Sequence, residues 1–367
     1  SLGVGKMAKW LNTKARVRTG HCGLLLVALI AKDVLAQAQT PLATPWVSSP
    51  EQHSATISVY HHVAENTPYS TSIAPEQFEA HLRFLDEGGF TVSPLAELID
   101  ATLRGEAIAP KSVAITFDDG YESIYTTAFP LLQRYDFPFS VFLSTAPIDK
   151  VQRGYLTWTQ LRELVAAGVT IGNHGAEHDS VLALSEMEIR ENIEAAQLRI
   201  DAELGPQPKL FAYPYGEFNP QAQEIVSDLG YRALAQNSGA IGPASNALAL
   251  PRFPLAGPYA ELSGAEQKYS TLAFPLAGAI GVDPTSRSKI SALHITVSDR
   301  NWLEGTLNCF DAGEFAQPVS DGHGITLSLE SPGAQTRRWL TTCTARHGNS
   351  GRYFWYSQPW TNSSRPL

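Results

Sequence analysis

Between residues 55 and 257, short runs rich in β-branched and aromatic residues alternate with longer stretches of helical spacing. This alternation restricts the fold more than any other feature of the chain. The strand candidates are 57–60, 112–117, 139–143, 169–171, 210–213 and 231–234. Between them, 75–87, 95–103, 121–135, 159–167, 185–204 and 220–229 set apolar residues on one helical face, as in Phe78, Leu82 and Leu85 or Ile189, Ile193, Ala196 and Ile200. Strand–helix repetition of this kind builds a parallel sheet or barrel with helices outside. Six or seven units fit before Gly257, so the expected fold is α/β: a (β/α) barrel, distorted or incomplete, with about seven strands.

After Gly257-Pro258 the helical period fades. Short alternating segments at 294–297, 324–329 and 339–344, set between Gly, Pro, Asp and Ser, predict a smaller C-terminal all-β domain over 258–367. With 43% hydrophobic and 17% charged residues the chain is globular rather than disordered. A formal net charge of -9 without a clustered basic face argues against a nucleic-acid partner.

The positive charge is concentrated at the start, where Lys6, Lys9, Lys14, Arg16, Arg18 and Lys32 precede residue 39 and Asp33 is the single acid. There, 22–31 (CGLLLVALIA) is an apolar run followed by Ala36-Gln37-Ala38, the pattern of a signal peptide with a small-residue cleavage site. Residues 1–38 therefore read as a leader, 39–54 as a Pro/Ser/Thr linker, and the mature protein as exported, periplasmic or extracellular. The run is well short of the ~20 residues of a spanning helix, so no stable membrane span is expected after cleavage. An uncleaved anchor is the other reading. Cleavage removes Cys22 and leaves Cys309 and Cys343 in an oxidising compartment, where a disulfide between them is expected and two buried thiols are the alternative.

Three segments carry chemistry. In 113–120 (VAITFDDG) an apolar strand ends in Asp118 and Asp119, at the strand end where β/α folds gather their active sites. Adjacent residues there point apart, so the two acids can take different roles; the same residues also make an ordinary turn. In 171–178 (IGNHGAEH), His174 and His178 are spaced to share a cation on a helical turn, although solvated histidine pairs look the same. In 210–216 (LFAYPYG) a strand enters a Pro/Gly turn that exposes backbone N–H groups. Together, two His and one Asp make three protein ligands with a position left for water, as in catalytic zinc sites.

Here the sequence resembles the polysaccharide deacetylases, carbohydrate esterase family four with its NodB homology domain. Three motifs occur in family order: 116–120 (TFDDG), 174–178 (HGAEH) and 213–216 (YPYG). The resemblance covers about 55–256. It implies Asp118 as general base, Asp119, His174 and His178 as metal ligands, and the Tyr215 N–H as an oxyanion donor. Two positions depart from the pattern: Ala212 stands where the third motif usually carries Arg, and Gly175 follows the first metal histidine where Ser or Thr is common. The late motif that carries the acid histidine is not evident after residue 216. Instead, 59–63 (VYHHV) resembles the opening of the biofilm poly-N-acetylglucosamine deacetylases, whose motif order is permuted. On that likeness His61 is the general acid, and His62 faces the other way. Arg252, in 250–254 (LPRFP), sits where those relatives carry a similar Leu-Pro-Arg. It is expected to replace in space the Arg absent at 212 and to hold Asp118, a surface arginine being the alternative.

The resemblance implies a metal-dependent hydrolase that removes N-acetyl groups from a polysaccharide containing β-linked N-acetylglucosamine. Biofilm poly-N-acetylglucosamine is the first choice, and chitin oligomers or peptidoglycan the second. Two imidazoles and a carboxylate suit Zn, and also Co or Ni. A carbohydrate O-acetyl esterase and a non-catalytic glycan-binding protein on the same scaffold are the competing readings. The aromatic cluster at 352–356 (RYFWY) with Trp360 reads as core or interface, or as a sugar-stacking platform; Trp302 and Trp339 are expected inside.

Overall fold

The computed structural model describes residues 49–299, 301, 303–320, 324–329, 336–348 and 350–367. Residues 1–48, which hold the expected leader with Cys22 and the first part of the expected linker, and Trp302 lie outside the described residues. Strands β1 (Ala55–Tyr60), β2 (His62–Val63), β3 (Ser72–Ile73), β4 (Thr91–Val92), β5 (Ser112–Phe117), β6 (Phe139–Leu143), β7 (Thr170–Asn173), β8 (Leu210–Ala212), β9 (Arg232–Leu234) and β10 (Phe253–Pro254) come first. Among them run helices α1 (Pro75–Glu87), α2 (Leu95–Leu103), α3 (Phe129–Arg134), α4 (Thr145–Asp149), α5 (Trp158–Ala166), α6 (Glu186–Leu204) and α7 (Pro220–Asp228).

The main sheet has the order β10-β1-β5-β6-β7-β8-β9, every pair parallel, with β4 set against the start of β5. A single parallel bridge between Leu234 and Leu250 joins the end of β9 to the segment entering β10. There Ala235 N–H donates to Leu250 O and Leu250 N–H to Ala233 O. Closure by one bridge rather than a full ladder makes this a distorted (β/α) barrel. The sequence did not mark β10, because a two-residue strand ending in Pro254 carries no alternation to read.

Strands β1, β5 and β6 are buried at every position, which is why they read as continuous apolar runs. Their two faces still separate by parity. Val113, Ile115 and Phe117 pack outward with Phe78, Leu82 and Leu85 of α1, Leu132 of α3, and Leu161 and Leu164 of α5. Ala114 packs instead with Ile57, Phe142, Leu210, Leu234 and Leu250. Thr116 and Asp118 continue the Ala114 parity, so the alternation of β5 directs Asp118 to the barrel interior. Helix starts are fixed locally: Ser185 and Glu188 form a reciprocal capping box on α6, as do Thr157 and Gln160 on α5.

Beyond Gly257, helix α8 (Leu262–Tyr269) sends Ala265 and Tyr269 into the barrel core, and Tyr269 Oη lies 2.6 Å from Tyr60 Oη. Then come β11 (Leu272–Ala273), β12 (Ala292–Thr296), β13 (Asn308–Asp311), β14 (Glu314–Phe315), β15 (Pro318–Ser320), β16 (Gly324–Ser328), β17 (Arg338–Arg346) and β18 (Tyr353–Thr361). They form two sheets, β11-β18-β17-β13-β14 and β12-β16-β15. Leu293, Ile295, Leu327, Phe354 and Trp360 share their core. A disulfide joins Cys309 and Cys343, which sit directly opposite each other on β13 and β17. Trp360 is fully buried and donates from Nε1 to Thr341 Oγ1, and Trp355 packs edge-on against Phe253 of the barrel. Trp339, expected inside, is instead half-buried and lines a groove, because its end of β17 lies at the barrel rim. No helix among the described residues is long and apolar enough to cross a membrane.

Candidate functional site

The candidate residues collect at the carboxyl ends of strands: His61 after β1, Asp118 and Asp119 after β5, His174 and His178 after β7, Tyr215 after β8. Strand parity alone would send Asp119 outward, opposite to Asp118. Its backbone takes φ +72°, and His178 and Tyr215 take +60° and +61°, so three rim residues hold left-handed conformations. Each such non-glycine residue costs on the order of 1–3 kcal/mol and persists only where its surroundings impose it. At Gly216 (φ +70°) a Cβ would stand 2.7 Å from Gln236 Cβ and 2.8 Å from Gln236 N, so only glycine lets this turn close against the segment that follows β9.

Nε2 of His174 and of His178 lie 3.2 and 3.0 Å from Asp119 Oδ1. One ligand atom from each residue lies within 4.8 Å of the others. Asp119 Oδ1 and His174 Nε2 are buried without an aligned hydrogen-bond partner, which native interiors rarely tolerate. His174 Nδ1 is 2.7 Å from Ala212 O, a contact that puts the proton on Nδ1 and leaves Nε2 free as a ligand. Ala212 thus supplies a backbone oxygen where the family motif has an arginine. Two imidazole nitrogens and one carboxylate oxygen turned to one point fit a divalent cation.

Asp118 is tied differently. Arg252 Nη1 donates to Oδ1 and Nη2 to Oδ2, both at 2.7 Å, and both side chains are completely buried. The guanidinium also donates to Thr116 Oγ1 (3.2 Å) and Ala235 O (2.9 Å), and lies over the Phe142 ring. Gln236 Nε2 donates to Asp118 Oδ2 at 3.2 Å. Burial by itself would raise the Asp118 pKa, but the charges of Arg252, His174 and His61 hold it below the usual carboxylate range. Asp118 therefore stays ionised and able to accept a proton.

His61 lines the groove beside Asp119 and His178. Burial lowers its pKa, opposed only in part by Asp119 and Asp118. His62 turns away and stacks on Tyr121 with ring centroids 3.6 Å apart; burial, then the neighbouring His61, push its pKa down to about 4. The groove has a volume of about 590 Å³, and Arg338 and Trp339 of the C-terminal sheets form its far wall. A second, polar depression of about 340 Å³, with Lys150, Gln152 and Glu177, meets it at Asp119, Tyr121, His178 and Tyr215. The ligand set thus sits where two open troughs join, a shape that lets a chain molecule run past it. Gln236, Arg338 and Trp339 carry no sequence signal of this role. Tyr121 carries a weak one in its place two residues after Asp119.

Residues 106–234 match the family model for polysaccharide deacetylase. A putative polysaccharide deacetylase of Bacillus subtilis, YxkH, is 25% identical over 202 residues, 55% of this chain and 71% of that protein. The poly-beta-1,6-N-acetyl-D-glucosamine N-deacetylase of Escherichia coli strain K12 is 26% identical over 289 residues, 64% of this chain but only 42% of the relative. Among solved structures, IcaB from Ammonifex degensii superposes with a TM-score of 0.53 at 26% identity, covering 58% of this chain and 97% of that one. The Streptococcus pyogenes deacetylase PplD shares the fold, with a TM-score of 0.53 at 24% identity over 56% of this chain and 93% of that one. The match runs across the strands that present Asp118, Asp119, His174, His178 and Tyr215, so residues 106–234 carry a polysaccharide deacetylase domain.

Proposed function

We propose that this protein is a metal-dependent polysaccharide N-deacetylase that releases acetate from polymers of β-linked N-acetylglucosamine, with poly-N-acetylglucosamine as the first substrate. The observation that carries this reading is the pairing of two differently held carboxylates: Asp119 among two imidazoles, and Asp118 clamped by Arg252. A divalent cation bound by Asp119, His174 and His178, zinc first and Co or Ni as alternatives, would supply Lewis acidity and lower the pKa of a water.

The chain's own groups supply the rest. Asp118, ionised by Arg252, accepts the proton of the attacking water. The N–H of Tyr215 faces the charge that develops on the acetamide oxygen. His61, which lines the same groove, protonates the departing sugar amine. Trp339 and Arg338 offer an apolar face and a cation to flanking sugar units, and the open troughs suit a polymer better than a small ester. The names of the Escherichia coli and Staphylococcus aureus relatives favour poly-N-acetylglucosamine over chitin oligomers or peptidoglycan.

In this reading 55–257 is the catalytic domain and 258–367 the C-terminal β domain. The apolar leader sequence supports export to the periplasm or beyond. Acetate release from N-acetylated and O-acetylated glycans, with and without a chelator, tests the proposal. It stands if poly-N-acetylglucosamine yields acetate that chelation abolishes, and falls if only O-acetyl esters are cleaved or if no glycan yields acetate.

A further inference from the structure

Two residues beyond Tyr215, Glu217 is buried with its side chain at 0% exposure. Ser180 Oγ, two residues beyond His178, donates to Glu217 Oε2 at 2.5 Å. From the C-terminal sheets Arg337, just before β17, closes a bidentate pair: Nε donates to Oε1 and Nη2 to Oε2, both at 2.7 Å. Arg337 is itself held, donating from Nη1 to the carbonyls of Ser363 and Arg365. Next to it Arg338 donates from Nη1 to Tyr215 O at 3.0 Å and lies over the Tyr215 ring. One carboxylate therefore ties together the loop that carries His178, the turn that carries Tyr215, and the first residues of β17.

We propose that Arg337 is a positioning residue for the deacetylase site, acting through Glu217 to fix the Tyr215 turn and the His178 loop. The C-terminal β domain is then a structural part of the active centre rather than an appended glycan-binding module. The physical reason is the geometry of the rim. Tyr215 and His178 both hold left-handed backbone, which needs outside restraint. Planar, bidentate Arg–carboxylate pairing fixes direction as well as distance, which a lysine's point charge does not. This inference rests on the function proposed above.

The test compares Arg337→Met, Arg337→Lys and the double variant Glu217→Gln/Arg337→Met with the unmodified protein. Arg346→Met, at the other end of β17, is the control. The readouts are kcat and KM for acetate release, metal content, thermal stability, and hydrogen exchange of segments 178–184 and 213–219. Misplacing a reacting group by about 1 Å costs up to ~10²-fold, so Arg337→Met should lower kcat by ~10–10² with KM within about twofold. Exchange in both segments should quicken, and Arg337→Lys should recover only part of each effect. The double variant leaves no unpaired buried charge, so it should regain thermal stability yet keep the low kcat and the fast exchange. Full recovery of kcat and exchange protection in the double variant would show a merely structural role and overturn the proposal. So would unchanged kcat and exchange in Arg337→Met, or equal effects in Arg346→Met. If the unmodified protein released no acetate, the proposed function would fall, and the exchange measurements would still decide whether Arg337 holds both loops.

Discussion

Replacing Arg252 with Met tests how the base is built. The substitution keeps much of the apolar stem but removes both 2.7 Å contacts to Asp118 at a position where neither side chain touches solvent. Breaking a fully buried pair from one side leaves an uncompensated carboxylate and costs about 3–5 kcal/mol. At roughly 2 °C per kcal/mol for a unit of this size, Tm should fall by about 6–10 °C. The sign of the pH effect follows from the same contacts. A carboxylate whose folded pKa is depressed adds stability above its unfolded pKa and loses it as pH falls through the folded value. With Arg252 gone, burial is no longer opposed by its largest counter-charge, the Asp118 pKa rises, and that stabilising increment disappears at neutral pH. The acid limb of the kcat/KM profile should move to higher pH together with the drop in Tm. Melting curves by circular dichroism and acetate release across pH 4–9 (about the usable range of such assays) measure both effects. The double variant Arg252→Met/Asp118→Asn should regain much of the Tm while staying inactive. An Arg252→Met protein with unchanged Tm and an unmoved acid limb would refute the reasoning.

The other outcomes are simpler. Asp118→Asn should keep metal and fold, at a lowered Tm because it too leaves Arg252 without its counter-charge, but lose turnover by ~10²–10⁴, and full activity would place the base elsewhere. His178→Ala should lose metal and activity together, since two protein ligands remain; metal analysis after dialysis checks it, and stoichiometric metal would reject the ligand set. His61→Ala should lower turnover by ~10²–10⁴ with metal content unchanged, whereas His62→Ala, which loses only its stacking on Tyr121, should do much less; equal small effects would remove His61 as the acid. Mass spectrometry of the non-reduced protein should find Cys309 joined to Cys343, and Cys309→Ser/Cys343→Ser should lower stability by about 3–4 kcal/mol in the chain-entropy model, checked by urea titration.

What the sequence determined by itself is whatever local rules govern. Continuous apolar runs separated by amphipathic stretches marked β1 and β5–β9 with the helices among them, because period and burial are set within ten or so residues. The cation ligands were legible as two short motifs, Asp119 beside Asp118 at one strand end and His174 four residues before His178 at another; the two histidines lie on a loop after β7 rather than on the helical turn expected, and only the sheet brings Asp119 to them. Tertiary structure decided the rest. The left-handed backbone that brings Asp119 back to the rim is imposed by its surroundings, against strand parity. Arg252 reaches Asp118 across 134 positions only because β10 pairs with β1, and β10 is too short to be read. The site wall made by Arg338 and Trp339, and the Arg337–Glu217 tie, join residues 120 or more positions apart. The sequence left Trp360 between core and sugar stacking and placed Trp339 inside; packing buries Trp360 between the C-terminal sheets and leaves Trp339 half-buried at the strand end that meets the barrel. Which aromatic is buried depends on what covers each face, and that is fixed only when the two β sheets and the barrel are packed together.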